Sequence, residues 1–302
     1  MKARRPVEPR AGFAGSERYR AIRRVLLVVL LLDLAMAAGK GTYGYLKGSL
    51  GMLADGLHSV MHAAAGVVGL VGVHLASRPP DPEHPYGYER YEPLAAMGIA
   101  VVMILALREV LERAWARLWS PEAPAVTGLS FAIMLAATGV TLALAGWERR
   151  RSRELSSSVL HADAARAWSD TLVSSSVIVG LFAVSLGFAF VDTLVSVAVA
   201  GIIAWTAWGI VRGASRVLTD AAVGDAKQIT AAASSVAGVR SCHQVRARGV
   251  AGMVRVDLHV TVDPAMRVDE AHRVAEEVER RVRAQVGGVA EVLVHVGAAT
   301  LH

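Results

Sequence analysis

Residues 49–62 read Ser-Leu-Gly-Met-Leu-Ala-Asp-Gly-Leu-His-Ser-Val-Met-His, and Asp55, His58 and His62 interrupt an otherwise apolar run at i, i+3 and i+7. On a helix that spacing puts all three on one face. Ionisable groups inside a membrane span are expensive and face a protein interior or a water-filled path. A carboxylate and two imidazoles on one such stripe are a candidate metal or proton site. The plainer reading is a pair of neutral histidines hydrogen-bonded to backbone. It loses ground because a second stripe, Asp163, Arg166 and Asp170, repeats the spacing further along the chain.

Around these stripes lie six apolar segments, roughly 22–46, 52–76, 94–118, 126–147, 158–185 and 191–212. Each is near the ~20 residues that span a bilayer. Hydrophobic residues make up 54% of the chain, and the mean hydropathy is +0.42. Charge is concentrated at the N-terminus, around 148–154 and after residue 213, so a membrane part precedes a water-soluble part. Arg4, Arg5, Arg10, Arg18 and Arg20 make residues 1–21 a basic tail. Arg78, Arg90 and Arg149–Arg151 make alternate loops basic as well. Basic alternate loops with an even number of spans place both termini in the cytoplasm, in a multi-pass protein of the plasma or inner membrane. The net charge of +6 is explained by that orientation and does not call for nucleic acid. A single cysteine, Cys242, excludes an intramolecular disulfide and any Cys-x-x-Cys zinc motif. In the first span Asp33 and Lys40 are at i, i+7. In the third, Arg108, Glu109, Glu112 and Arg113 fall at helical salt-bridge spacings. Both groups read as structural ion pairs.

The domain organisation that follows is a tail (1–21), a six-helix transmembrane domain (22–212), a linker (213–226) and a cytoplasmic domain (227–302). In the last of these, Val254, Val256, Leu258, Val260 and Val262 alternate with Arg255, Asp257, His259 and Thr261, which predicts a half-buried strand. The expected order is αββαβ, with a turn over Gly249–Gly252 and an amphipathic helix over 268–286.

Taken together, the residues resemble the cation diffusion facilitators, which export divalent metals. The resemblance runs over nearly the whole chain. It rests on Gly48-Ser-Leu50, Asp55-x-x-His58, His84-Pro-Tyr-Gly-Tyr88-Glu-Arg-Tyr-Glu92, and Ala162-Asp163 through Ser169-Asp170. The tail adds His243-x-x-Arg246-x-Arg248-Gly249, Val256-Asp-Leu-His259, Glu270-Ala-His272 and Val292-Leu-Val-His295. It implies six transmembrane helices with a cytoplasmic ferredoxin-like domain, an α+β fold, assembled as a homodimer. It also implies a four-ligand transport site, two positions from the second helix and two from the fifth. Those positions here are His58, His62, Arg166 and Asp170. Arg166 departs from the family, because a guanidinium stays protonated and cannot coordinate. At ~5 Å from a divalent ion it would repel by about 6–7 kcal/mol at an effective dielectric of ~20. We therefore expect Asp163 or Asp55 to pair with Arg166, leaving His58, His62 and Asp170 to hold the metal, with Asp55 a further candidate ligand. Asp81 and His84 match a loop metal site of relatives, with Tyr88 where some have His. His243, His259, His272 and His295 match regulatory zinc positions, with Gly297 where an Asp ligand can occur.

The implied activity is secondary transport, exporting zinc first, then iron, cobalt or nickel, by proton antiport and alternating access. Metal must displace protons from histidine ligands, which makes that coupling chemically natural. An alternative is a non-transporting, metal-responsive member acting as dimer partner or scaffold, with Arg166 filling the site. A membrane metalloenzyme is disfavoured, because such enzymes need several His-rich boxes and no His-x-x-His-His occurs.

Overall fold

Among the described residues, long runs of Ala, Val, Leu and Ile with few breakers form six long helices: α1 (Gly12–Lys47), α2 (Leu50–Ala76), α3 (Tyr91–Trp119), α4 (Gly128–Glu154), α5 (Ser158–Ser185) and α6 (Ala189–Leu218). This computed structural model describes residues 12–47, 50–119, 128–185, 189–250 and 252–299. Within those helices, the side chains of 12–16, 47, 50–58, 61–62, 113–114, 116–119, 128–131, 133–134, 177–185 and 189–193 lie outside the description. The chain divides into two units, Met1–Ser215 and Arg216–His302.

In the first unit α1 packs on α2, α2 on α3 and α5, and α5 on α3 and α4. Among the described residues, Tyr91–Glu112 and Leu194–Leu218 are apolar over lengths that cross a membrane. Pro93 sits in the first turn of α3, where its missing N–H costs nothing. Small residues set the closest approach. A Cβ on Gly72 would lie 2.1 Å from that of Ala95, so α2 packs its backbone against the Ala95 methyl of α3 only because residue 72 is glycine. Helix α1 begins at Gly12, inside the stretch expected as tail. Helix α6 runs on to Leu218, through the start of the expected linker. Gly213 does not end α6, since glycine weakens a helix interior by only about 1 kcal/mol.

The second unit follows the expected order: α7 (Ala226–Ser234), β1 (Ser241–Val250), β2 (Met253–Val262), α8 (Val268–Gln285) and β3 (Val289–Ala298). The Asp225 carboxylate caps α7, accepting from the Lys227 N–H at 2.8 Å. Strand β2 is central, antiparallel to β1 and parallel to β3. Every second β2 residue from Val254 to Val262 is buried. Those side chains pack with Ile229 and Ala233 of α7 and Val278 and Val282 of α8. Between β1 and β2, Gly249 has φ +129°, and a Cβ there would lie 2.4 Å from the Met253 carbonyl, so this turn requires glycine.

Candidate functional site

The second polar stripe is fully visible, and it is organised by Arg166. The side chain is 4% exposed and makes three ion pairs. Nε donates to Asp163 Oδ1 at 2.8 Å, Nη1 to Asp170 Oδ2 at 2.9 Å and Nη2 to Asp33 Oδ2 at 3.3 Å. Asp163 and Asp170 are the carboxylates one turn before and one turn after, where helical geometry must bring them. Asp33 arrives from α1. Asp163 is thus the partner expected for Arg166. The expectation that Asp170 stays free is corrected: one of its oxygens holds the guanidinium. The physical reason is valence. An arginine buried at membrane depth has five N–H groups to satisfy and so binds the carboxylates on both sides of it. Lys40 Nζ approaches Ser59 Oγ at 3.4 Å.

A cavity of about 30 Å³ opens beside Asp170, lined by Glu109 and Met103 of α3, Arg166, Ser169 and Asp170 of α5 and Ile203 of α6. It is large enough for one water-sized occupant. In the α3 charge cluster, Arg108 pairs with Glu112 at 2.6 Å. Asp55, His58 and His62 all fall within the unbroken helix α2, so their backbone has the spacing that shares one face. Their side chains lie outside the described residues, as does that of Arg113. Among the described residues no group of three or more His, Cys, Asp and Glu is placed to hold a metal.

Two buried acidic residues have roles that the sequence reading did not assign. Glu92 is 1% exposed and takes both Nη atoms of Arg18, at 2.9 and 3.2 Å. It also accepts from Ser157 Oγ at 2.7 Å and from the Ser158 N–H at 3.0 Å, so it caps α5 from the start of α3. Arg18 donates further to the carbonyls of Leu155 and Ser156. Glu148, wholly buried, sits against Asp163. Its signal in the sequence was a lone acid directly before Arg149–Arg151.

In the α2–α3 loop, Asp81 and His84 are neighbours, with His84 Nδ1 3.8 Å from Asp81 Oδ1. Asp81 Oδ1 accepts the N–H groups of Glu83 and His84, and Oδ2 accepts the Tyr88 hydroxyl at 2.6 Å. That hydroxyl bond is the main cause holding the Asp81 carboxyl below its usual range and pushing the Tyr88 phenol up to about 12. The loop carboxylate thus serves as a turn staple, with the Tyr88 ring 4.1 Å from that of His84.

In the second unit the register aligns His243 with His259 and His259 with His295. Ring centroids are 5.7 and 4.6 Å apart. His272 stands apart on α8, 3.5 Å from Glu276. Partial burial, then His295, His243 and Arg246, lower the His259 pKa. Its folded pKa lies below its unfolded one, so the unfolded chain binds more protons as pH falls through about 6.5. Stability present above that range is lost on acidification. The melting temperature of fragment 216–302 is expected to fall between about pH 7.5 and 5.5, and to fall less in His259→Gln. Equal slopes in the two proteins would show that the histidine ladder is not responsible.

The family model of the cation efflux transmembrane domain matches residues 26–219, and that of the cation efflux protein cytoplasmic domain matches residues 224–298. The manganese efflux system protein MneS of Bacillus subtilis is 31% identical, covering 88% of this chain and 93% of its own. Metal tolerance protein 2 of Oryza sativa is 28% identical over 92% of this chain and 78% of its own. The cation-efflux pump FieF of Serratia proteamaculans is 28% identical over 83% and 84%.

Proposed function

Because this chain belongs to the cation diffusion facilitator family, whose members move divalent metal cations out across a membrane, we propose that it is a secondary transporter exporting one such ion by proton antiport. The observation that carries this reading is Asp170, a carboxylate that shares with Arg166 the wall of a cavity of about 30 Å³ inside the helical unit. His58 and His62 would complete the site from α2, and Asp55 would stand behind them. Two imidazoles and a carboxylate suit zinc first, with iron, cobalt and nickel next. Manganese, named for MneS, favours carboxylates and is the competitor to test.

Arg166 gives this exporter an exchange step. The arriving ion competes with the guanidinium for Asp170, and Asp163 and Asp33 retain the displaced arginine. We place both termini in the cytoplasm and the chain in a homodimer, paired through the histidine-bearing sheet face of the second unit. That face lies opposite the buried β2 side chains. A second reading, a non-transporting dimer partner or scaffold, is favoured by the same 2.9 Å Arg166–Asp170 pair if the ion cannot break it. Purified protein in vesicles, loaded in turn with zinc and manganese, separates the two. Export predicts proton flux that depends on metal and is abolished in Asp170→Asn. No flux with any divalent ion would leave the scaffold reading.

A further inference from the structure

Three buried carboxyl oxygens in the first unit have no hydrogen-bond partner among the described residues: Glu148 Oε1, Glu148 Oε2 and Asp163 Oδ2. Both residues are 0% exposed. The groups facing Glu148 are Asp163 and Arg166 of α5 and Asp33 of α1, from the two helices packed on α4. Arg166 donates to Asp163, Asp170 and Asp33, and none of these three bonds goes to Glu148. An ionised carboxylate with both oxygens buried and unpaired is strongly unfavourable. Two carboxylates lying at hydrogen-bonding range cannot both ionise. All three orphaned atoms are acceptors, so the missing partner is a donor, and the oxygens are too few to cage a metal.

We infer that Glu148 and Asp163 share one proton, making the α4–α5 seam a proton-binding site separate from the candidate metal ligands. An O–H on Glu148 donating to Asp163 Oδ2 satisfies two of the three orphaned atoms at once. Arg166 joins this pair to the cavity, since Nε holds Asp163 while Nη1 holds Asp170. The next step rests on the export reading above. A divalent ion at Asp170 frees the Nη1–H groups of Arg166. The Glu148 O–H bond then breaks, its electron pair stays on the carboxylate and the proton passes to water. The freed guanidinium N–H replaces the lost O–H as hydrogen-bond partner.

Infrared spectroscopy of the full chain in H2O and D2O tests the pair first without metal. A protonated-carboxyl C=O band that shifts in D2O is expected near neutral pH in the parent. It should be lost in both Glu148→Gln and Asp163→Asn, since either amide supplies the donor without a titrating proton. Circular dichroism identifies which variants are folded, and either one suffices. No band, or a band surviving in a folded variant, overturns the proposal. Zinc is then added while calorimetry records binding. Loss of the band on binding supports the coupled release. Persistence of the band with zinc bound overturns that release and leaves the pair standing. If zinc and manganese both fail to bind, the export reading fails, and the metal-free band alone decides the pair.

Discussion

Arg166→His is expected to bind zinc roughly hundredfold more tightly than the parent, a change of about 2.8 kcal/mol. The substitution removes a cation that holds Asp170 at 2.9 Å and supplies an imidazole one turn away from it. The repulsion of about 6–7 kcal/mol at ~5 Å and an effective dielectric of ~20 sets the upper limit, because Arg166 yields by leaning on Asp163 and Asp33. The same change carries a cost in the metal-free protein. Removing the guanidinium strands three carboxylates, and breaking a buried ion pair costs about 3–5 kcal/mol. The variant should therefore melt lower without metal and recover more of its stability when metal is added. His62→Ala should move affinity the other way, by loss of a ligand. Calorimetric titration of both variants and the parent measures this. Unchanged affinity in both would mean that the ion does not sit between α2 and α5, and the scaffold reading would then hold.

Glu92→Ala is expected to destabilise the protein by about 3–5 kcal/mol. Glu92 is 1% exposed and receives four hydrogen bonds, two from Arg18 and one each from Ser157 and Ser158. Truncation leaves a part-buried guanidinium without its carboxylate and an α5 N-terminus without its cap. Arg18→Ala should cost a similar amount. The double variant should cost clearly less than the sum, because each single change already breaks the shared pair. Unfolding in detergent, followed by circular dichroism for all four proteins, would show this. Strict additivity would mean that the two residues act independently.

What could be read directly from the sequence follows from periodicity. The alternation of Val254 through Val262 with polar partners predicts β2 and its buried face, and each of those five residues is buried. The helical spacing of Asp163, Arg166 and Asp170 predicts their common stripe, since i+3 and i+4 neighbours need no tertiary information. What could not be read depends on partners far apart in the chain. Asp33 meets Arg166 across 133 residues and Arg18 meets Glu92 across 74, and no local rule connects such pairs. Glu148 was hidden by its surroundings, because a single acid before three arginines reads as a solvated loop. The helix runs on to Glu154 instead, carrying residue 148 inward. For Asp170 the spacing gave the right neighbours but the wrong allocation, since one arginine bonds to both flanking carboxylates.

The contact at Gly72 also bears on how the molecule can move. Two helices meeting with only the Ala95 methyl between them have almost no lubricating layer; tilting one toward the other would drive the α2 backbone into Ala95. Helices α2 and α3 therefore travel as a single strut. Whatever α2 carries at residues 55–62 is borne along by α3, and relative motion is left to seams padded by larger side chains. A bulkier residue at position 72 would act as a wedge, tilting that strut and shifting the histidine-bearing segment without touching it.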